Sequence, residues 1–343
     1  MHNVKLPNHT RSSPAATPMA FARSIVAAYR QHDISPEAAL RLAQITPLQL
    51  EKEDGRITAR QMEVLSGTAM QELDDEGLGA FTRRLPWGSY GMLARASISS
   101  PNLGVALKRW CRHHALLTSD IELKLTTSDD SACIAVDEHL DLKAARNFCL
   151  MHVLRNIHGL ACWYIASRIP LQGARFPFEA PPHAYAYQHM FPGALRFDAA
   201  QAEIRFDARY LALPLRRDEK ALTHMLQRAL PLTVLQYRRD RMLVQQVRQA
   251  LGNPAVASHN AETLAAALNM SPRSLHRQLQ EEGASLQQLK DEVRFERAKD
   301  LLLRTTKPIK QVAASSGFRN EKSFIRAFHT WAHTSPAEFR KSA

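Results

Sequence analysis

Residues 317–340 have the sequence GFRNEKSFIRAFHTWAHTSPAEFR, and this stretch decides the fold of the C-terminal third of the chain. The leading Gly-Phe pair predicts a turn, and Asn320 shortly after it is a favoured N-cap residue. Phe324 and Phe328 in the helix that follows are four residues apart, so they lie on one apolar face. The Thr-Ser-Pro triplet further on is a helix start signal and predicts a short closing helix.

The same pattern occurs upstream. Residues 261–270 predict a short alanine-rich helix, and Ser271 followed by proline is a strong start signal for a second one. Leu275 and Leu279 form the inward face of that second helix, and Gly283 ends it. Two short helices joined by a tight turn, with basic residues early in the second, are typical of the helix-turn-helix, whose second helix enters the DNA major groove.

A longer helix joins these two units. Ser285 is its predicted N-cap, and its apolar face consists of Leu286, Leu289, Val293, Ala298, Leu301 and Leu302. At about 1.5 Å per residue, its roughly 19 residues span about 28 Å, close to the ~34 Å between successive major grooves on one face of DNA. The N-caps of the two second helices, Ser271 and Asn320, are 320 − 271 = 49 residues apart. Leucines at this spacing occur in any all-α protein, but two copies of the unit favour a tandem helix-turn-helix.

Positive charge is concentrated in the same segment. The chain carries 45 Lys and Arg against 33 Asp and Glu, a formal net charge of +12. Residues 238–343 hold 18 of the basic and 10 of the acidic residues, a net of +8, which leaves +4 for residues 1–237. Because nonspecific affinity for nucleic acid comes mostly from neutralised phosphates, this asymmetry favours a polyanionic partner. A merely basic, solvated surface is the alternative.

Length and composition exclude several classes of protein. The 343 residues predict two or three domains, and 45% hydrophobic with 23% charged residues is ordinary for a globular protein. The four cysteines form no CxxC pair, so we predict neither a zinc ribbon nor a disulfide scaffold and expect a reducing, cytoplasmic location. No apolar run is long enough to predict a membrane span or a signal peptide.

Motifs of catalysis and metal binding are missing from the sequence. It contains no GxSxG elbow, Walker loop or GxGxxG fingerprint, so we predict no enzyme active site, no catalytic residue and no cofactor. Two histidine clusters, Cys111 with His113 and His114, and His183 with His189, lack the spacing of known metal ligands. We therefore predict no metal site.

The N-terminal two thirds of the chain predict a helix-rich α+β domain. We expect a disordered tail over residues 1–17, and helices over residues 19–31, 35–44, 58–73 and about 144–167, with a further helix capped by Ser100-Pro101. Strands are expected over residues 121–127 and 132–139 and near residues 174–178, 194–198 and 202–206. A helix from about Arg217, interrupted at Pro231, leads into the C-terminal part.

Three motifs make the chain resemble the AraC/XylS family of bacterial transcription regulators. They are SPRSLHRQL at residues 271–279, GASLQQLKDEVRFERAKDLL at residues 283–302, and the stretch at residues 317–340 with its Phe-x-Arg-x-Phe helix and Ser-Pro-x-x-Phe-Arg end. The resemblance covers about residues 240–342. It implies an all-α domain that binds double-stranded promoter DNA through two helix-turn-helix motifs and contacts RNA polymerase.

The resemblance also implies which residues contact DNA. The candidates are Arg273, Ser274, His276 and Arg277 in the first recognition helix, and Asn320, Glu321, Lys322, Ser323 and Arg326 in the second. Arginine can bind guanine through two hydrogen bonds and glutamate can accept one from cytosine, whereas Lys322 can equally contact a phosphate alone. Four aromatic residues are expected in the core rather than on DNA, namely Phe318, Phe324, Phe328 and Trp331.

Residues 86–110, PWGSYGMLARASISSPNLGVALKRW, resemble the arabinose-binding-like ligand domain of one branch of this family, a label that does not identify a sugar. The residues that can line an apolar ligand pocket are Trp87, Tyr90, Met92, Phe148 and Trp163. Ordinary core packing is the alternative for each of them. Arg146 can hold an anionic group of a ligand or lie on the surface of its helix.

We therefore predict a multidomain chain, in which a helix-rich α+β domain over residues 18–235 senses a ligand and dimerises, and an all-α AraC-type domain over residues 236–343 binds DNA. The predicted function is a homodimeric regulator of transcription, an activator, controlled by a small-molecule effector. One alternative is a regulator whose N-terminal domain only dimerises or binds a protein partner. Another is a DNA-modifying enzyme with an appended DNA-binding domain, for which the sequence offers no catalytic motif.

Overall fold

The computed structural model describes residues 17–128, 130–227, 242–252 and 260–341. The chain divides into two compact units, Met1–Asp240 and Arg241–Ala343, which we call the N-terminal and the C-terminal unit. The predicted tail, apart from Thr17, and the predicted helix interruption at Pro231 lie outside the described residues.

A helical layer opens the N-terminal unit. Its elements are β1 (Thr17–Pro18), α1 (Met19–Gln31), α2 (Glu37–Leu42), α3 (Pro47–Glu51), β2 (Arg56–Ile57) and α4 (Ala59–Glu72). The short strands β1 and β2 pair antiparallel. Thr58 caps α4 as predicted: its hydroxyl accepts a hydrogen bond from the Gln61 N–H at 3.1 Å, and the Gln61 side chain accepts one from the Thr58 N–H at 3.0 Å.

Helices α5 (Ser89–Ile98) and α6 (Leu103–His114) follow. Asn102 caps α6, since its side-chain oxygen accepts a hydrogen bond from the Val105 N–H at 3.0 Å. The prediction that Ser100 caps this helix is therefore wrong. The Ser-Pro pair marks the bend before the helix, whereas the extended backbone of Asn102 carries its short side chain over the first turn.

A five-stranded sheet packs beside these helices. Its strands are β3 (Ile121–Thr127), β4 (Ser131–Glu138), β5 (Leu171–Arg175), β6 (Ala194–Arg196) and β7 (Ala202–Asp207), in the order β3-β4-β7-β5-β6. All neighbours are antiparallel except β5 and β6. The strand expected near residues 174–178 lies at Leu171–Arg175. It begins earlier because Leu171 and Gly173 pair with β7, and it ends before Pro177, which has no N–H to donate to a ladder.

The long central helix α7 (Arg146–Ile165) supplies much of the core of this unit. Fifteen of its 20 residues are buried, and a short 3-10 turn at Lys143–Ala145 precedes it. A helix buried nearly all round needs neighbours on every side. Helix α8 (Ala184–Met190), which the sequence analysis did not predict, and α9 (Glu219–Leu226) complete the described part of the unit.

The C-terminal unit is entirely helical in its described residues. Its helices are α10 (Met242–Gly252), α11 (Ala261–Ala267), α12 (Pro272–Glu281), α13 (Leu286–Arg304), α14 (Ile309–Ser315), α15 (Glu321–Ala332) and α16 (Pro336–Lys341). Pairs α11–α12 and α14–α15 are the two predicted helix-turn-helix motifs. The predicted fold class is confirmed: a helix-rich α+β unit precedes an all-α unit with two such motifs.

Helix α13 joins two separate hydrophobic cores. Its N-terminal half contributes Leu286 and Leu289 to a core built with α10, α11 and α12. Its C-terminal half contributes Ala298 and Leu302 to a core built with α14 and α15. The helix has the predicted 19 residues, and Ser285 caps it through the Gln288 N–H at 3.2 Å. One continuous helix therefore sets the distance between the two motifs.

Candidate functional site

The first recognition helix, α12, is positioned by its cap and by two leucines. The Ser271 hydroxyl accepts a hydrogen bond from the Ser274 N–H at 3.1 Å. Leu275 and Leu279 are fully buried in the first core. Burying these two residues leaves the opposite side of the helix facing outward.

That outward side carries the predicted DNA contacts of α12. Arg273, His276 and Arg277 are exposed, and Ser274 is half-buried. Arg277 lies 3.9 Å from the Glu281 carboxylate, an exposed pair one turn away that an incoming phosphate can replace. The Ser274 hydroxyl lies 2.9 Å from the Ser271 hydroxyl, so this side chain belongs to the helix start.

The second recognition helix, α15, repeats this construction. The Asn320 side-chain oxygen accepts a hydrogen bond from the Ser323 N–H at 2.8 Å, which leaves the amide N–H groups of Asn320 for other partners. Phe324 and Phe328 are fully buried in the second core. Phe318 and Trp331, which contact one another at 5.9 Å between ring centroids, are partly buried.

The exposed side of α15 carries Lys322 and Arg326, while Glu321 and Ser323 are half-buried beside them. Within the described chain neither Lys322 nor Arg326 forms an ion pair. Ile325, 38% exposed, lies on this helix as well, and the sequence analysis did not single it out. The sequence does indicate its exposure. Ile325 directly follows Phe324, so it lies off the helix face that Phe324 and Phe328 share.

A cavity of about 630 Å³ lies in the N-terminal unit. Helices α4, α5, α6, α7 and α9 and the loop before α5 line it. The apolar and aromatic part of the lining includes Val64, Met70, Leu78, Phe81, Leu85, Trp87, Tyr90, Leu93, Trp110, Leu117, Phe148, Cys149, Val153 and Leu226. The polar part includes Arg60, Glu63, Gln71, Glu76, Arg95, His114, His152 and Asn156. A mainly apolar cleft with a few polar groups is the usual composition of a small-molecule site.

Three of the six predicted ligand residues lie on this cavity. Trp87, Tyr90 and Phe148 line it, and Tyr90 packs edge-on against Trp110 with ring centroids 5.2 Å apart. Met92 lies outside the lining and is 51% exposed.

The other two predicted residues also lie outside the lining. Arg146 binds both carboxylate oxygens of Glu138, at 2.6 and 2.7 Å, and donates to the Pro177 carbonyl at 2.7 Å. Its guanidinium is thus engaged by the protein itself. Trp163 is buried under the Arg217 guanidinium, which lies 5.4 Å from its ring centroid. Both residues tie the long helix α7 to its surroundings.

Two histidines of the lining were not predicted as ligand residues. Burial lowers the pKa of His114 to about 4 and that of His152 to about 4, so both imidazoles are neutral at pH 7. His114 is 6% exposed, and its Nδ1 has no hydrogen-bond partner in the described structure. In the sequence, His114 stands out only through its cluster with Cys111 and His113, which lacks the spacing of metal ligands. Buried histidines are not distinguishable from surface ones by spacing alone.

Glu76 is the third polar residue that the sequence analysis missed. Its carboxylate accepts hydrogen bonds from the N–H of Gly88 at 2.8 Å and of Tyr90 at 2.6 Å, at the start of α5. Burial raises its pKa, and the charges of Asp75 and Asp74 add to this, although the two backbone bonds act in the opposite direction. In the sequence, Glu76 looks like part of a solvated Asp-Asp-Glu run.

Neither a metal-ligand cluster nor a membrane-spanning helix occurs in the part of the chain that the structure describes. Over residues 17–128, 130–227, 242–252 and 260–341, no three His, Cys, Asp or Glu side chains converge as a ligand set. None of the helices in these ranges is both long and apolar enough to cross a membrane.

Two protein-family models match this chain, one in each of the two units. Residues 34–215 match the family model described as the arabinose-binding domain of AraC transcription regulator, N-terminal. Residues 264–342 match a helix-turn-helix domain model, which implies DNA binding by the C-terminal unit.

The chain is similar to several individual proteins. The chain is 27% identical over 328 residues to the ornithine utilization regulator of Pseudomonas aeruginosa, a match that covers 95% of this chain and 96% of the relative. It is 38% identical over 80 residues to the transcriptional regulator VqsM of the same organism, covering 23% of this chain and 25% of the relative. A crystal structure of a DNA-binding transcriptional dual regulator from Escherichia coli K-12 shares 30% identity, covering 29% of this chain and 90% of that one, with a TM-score of 0.28.

The family model of the N-terminal domain spans more than half of the chain, and the helix-turn-helix model covers both recognition helices. The chain therefore belongs to the AraC family of transcription regulators, with an N-terminal domain of the arabinose-binding type and a C-terminal DNA-binding domain.

Proposed function

We propose that this regulator is a transcription activator controlled by a small molecule that binds in the cavity of the N-terminal unit. The cavity is the observation that carries the proposal. Its volume of about 630 Å³ lies within the range of roughly 300–1,000 Å³ in which proteins hold small ligands. A domain that only dimerised or bound a protein would need an exposed apolar patch but no cavity of this volume.

The proposal assigns DNA contact to the two recognition helices. The exposed Arg273, Arg277, Lys322 and Arg326 supply positive charge for phosphates or for guanine edges. Half-buried or capping residues, namely Ser274, Asn320, Glu321 and Ser323, can place backbone or short polar groups near the groove. His276 is exposed on the first helix beside Arg277 and completes the proposed contact set.

One relative supports control by a metabolite. The regulator that matches nearly the whole chain is named for ornithine utilization. Ornithine is therefore a reasonable first compound to test, together with other amino acids. A bound effector would activate transcription only by binding the DNA-competent arrangement more tightly than the incompetent one. A homodimer that contacts RNA polymerase is part of the same proposal.

The first experiment is a thermal-shift screen of the intact chain against amino acids, organic acids, sugars, nucleotides and fatty acids. A ligand at 100 times its dissociation constant stabilises the folded protein by about 2.7 kcal/mol, which raises the melting temperature measurably. A saturable shift accompanied by changed DNA affinity would support ligand control. A folded dimer that responds to no compound would favour the alternative, an N-terminal domain that binds only itself or a protein partner.

DNA binding has its own test, the dependence of affinity on salt. If about six phosphates are contacted, log K falls by about 0.9 per phosphate for each unit of log salt, a slope near −5. Fluorescence anisotropy with a labelled promoter fragment between 50 and 300 mM salt, roughly the range in which such slopes are measured, gives this number. A flat response would contradict the phosphate contacts assigned to Lys322 and the arginines.

A further inference from the structure

We infer that the cavity accepts an organic cation, a molecule with an ammonium group on an apolar skeleton, and that Glu76 is its counter-ion. The inference rests on the proposed function, because it names the ligand class of the same cavity.

Glu76 is a carboxylate without a cationic partner. Its two oxygens each accept one backbone hydrogen bond, from Gly88 and from Tyr90. A carboxylate has about four acceptor positions, so both oxygens keep capacity for a further donor. In the described chain no lysine, arginine or histidine forms an ion pair with Glu76, and the groups that act on its charge are two backbone N–H groups and two further acids.

The surroundings of Glu76 are themselves acidic. Asp74 accepts a hydrogen bond from the Trp87 N–H at 2.8 Å. Asp75 is 1% exposed and accepts from three backbone N–H groups of the loop before α5. Asp74 and Asp75 hold the loop in place through backbone donors, and His32 Nε2 also lies 3.7 Å from the Asp75 carboxylate. Of the three carboxylates, Glu76 is the one that lines the cavity. A cation entering the cavity would meet it in a partly desolvated setting, where charge pairing is stronger than in water.

The basic residues of the lining do not cancel this charge. Arg60 pairs with Glu63 at 2.9 Å, and Arg95 pairs with Glu219 at 2.9 Å. The Arg60 side chain is 69% exposed and the Arg95 side chain is 49% exposed. An anionic ligand could bind guanidinium N–H groups outside these two contacts, but its charge would also approach the Glu76 carboxylate. Glu76 itself is an acceptor for a cation.

The rest of the lining suits an ammonium group on an apolar body. Trp87, Tyr90 and Trp110 present aromatic rings, and cations are attracted to the faces of such rings. His114 and His152 are uncharged at neutral pH because burial lowers the pKa of each to about 4. They therefore do not repel a cation, and the unpartnered Nδ1 of His114 can accept a hydrogen bond in one tautomer.

Matched ligands test the charge preference on the intact wild-type chain. We would measure binding by isothermal titration calorimetry for two sets of three compounds: 2-phenylethylamine, 2-phenylethanol and 3-phenylpropionate, and hexylamine, hexanol and hexanoate. Within each set the apolar body is nearly constant and the charge changes. We expect at least one amine to bind about tenfold or more tighter than its alcohol, with the carboxylate weakest, as a charged hydrogen bond contributes. Equal binding of alcohol and amine, or no binding of either amine, would overturn the inference.

A pair of variants then tests Glu76 itself. Glu76→Gln keeps the shape and one acceptor but removes the charge, and we expect amine affinity to fall about ten- to hundredfold while alcohol affinity changes little. Glu122→Gln is the matched control: it removes the same charge from the exposed face of β3, away from the cavity lining. Glutamine replaces one of the two backbone acceptors by a donor, so a modest fall in melting temperature is expected. Retained alcohol binding and a cooperative melting transition show that the Glu76 variant is folded. Equal amine affinity in the two variants would overturn the role of Glu76.

The outcomes separate this inference from the proposed function. An uncharged or anionic compound that binds in the wider screen and changes DNA affinity, with no affinity for the amines, would overturn the cation inference and leave ligand control standing. Amine binding that leaves DNA affinity unchanged would support the cation site and contradict its regulatory role.

Discussion

Acid should destabilise the N-terminal unit through histidines that are buried in their neutral form, and His158 is the sharpest case. Its Nε2 lies 2.9 Å from the Ile169 carbonyl oxygen and its Nδ1 lies 3.4 Å from a guanidinium nitrogen of Arg155. A carbonyl can only accept and a guanidinium can only donate, so these partners define the tautomer protonated on Nε2. A second proton on Nδ1 would displace the Arg155 donor and place two positive charges side by side.

Burial, with the Arg155 charge in addition, lowers the pKa of His158 from 6.5 to about 4. A base whose pKa is lowered by folding binds more protons in the unfolded state than in the folded state. The folded protein therefore keeps the full contribution of this group to its stability above pH 6.5 and loses free energy of unfolding as the pH falls from 6.5 towards 4. Between pH 7 and pH 5 the loss is about 2 kcal/mol for this single group. His114 and His152, whose pKa values are also lowered to about 4, contribute losses of the same sign and order.

Urea unfolding at pH 7, 6 and 5 measures this loss, followed by tryptophan fluorescence. Three of the four tryptophans, Trp87, Trp110 and Trp163, report on the N-terminal unit. In the His158→Gln variant, which keeps an N–H donor for the Ile169 carbonyl and stays neutral, the pH 7 to pH 5 loss should shrink by about 2 kcal/mol. His276→Gln, which changes an exposed histidine of the other unit, is the control. An identical loss in wild type and the His158 variant would refute the reasoning.

Three further predictions concern single contacts. Arg326→Ala should weaken binding to the specific promoter site by about 1–3 kcal/mol more than binding to random DNA in anisotropy titrations, whereas equal losses would make Arg326 a phosphate contact. Phe324→Ala removes a fully buried ring from the second core and should lower the urea-unfolding free energy of the C-terminal unit by about 3–5 kcal/mol; a loss below about 1 kcal/mol would contradict its central position. Asn102→Ala should cost about 1 kcal/mol of stability as a lost N-cap, while Ser100→Ala, at the position predicted from the sequence, should cost less than about 0.5 kcal/mol in the same assay.

The C-terminal unit could be predicted from its sequence in most details. Three of its helices begin at residues that signal a helix start in the sequence, namely Ser271, Ser285 and Asn320. Their apolar residues recur at helical spacing with polar residues between them, so the buried side of each helix follows from local pattern alone. The predicted N-caps of α12, α13 and α15 are all confirmed.

The N-terminal unit was less predictable because its site is assembled from distant segments. Trp87 and Tyr90 come from one motif, but His114, Phe148 and His152 reach the same cavity from two other helices. Helix α7 is apolar on nearly all sides, so no periodicity shows which of its residues face the cavity and which face the sheet.

The sequence by itself determined the class of this protein, because helix-turn-helix motifs are local: caps, turns and apolar spacing lie within a few residues of one another. Only the tertiary structure decided which side chains share the cavity and in what state of charge. In the structure Arg146, which the sequence left as a candidate for ligand binding, pairs with Glu138. Glu76 lies in the cavity lining, and no lysine, arginine or histidine among the described residues forms an ion pair with it. Burial and pairing depend on contacts between residues far apart in the chain, and those contacts are what a single sequence does not display.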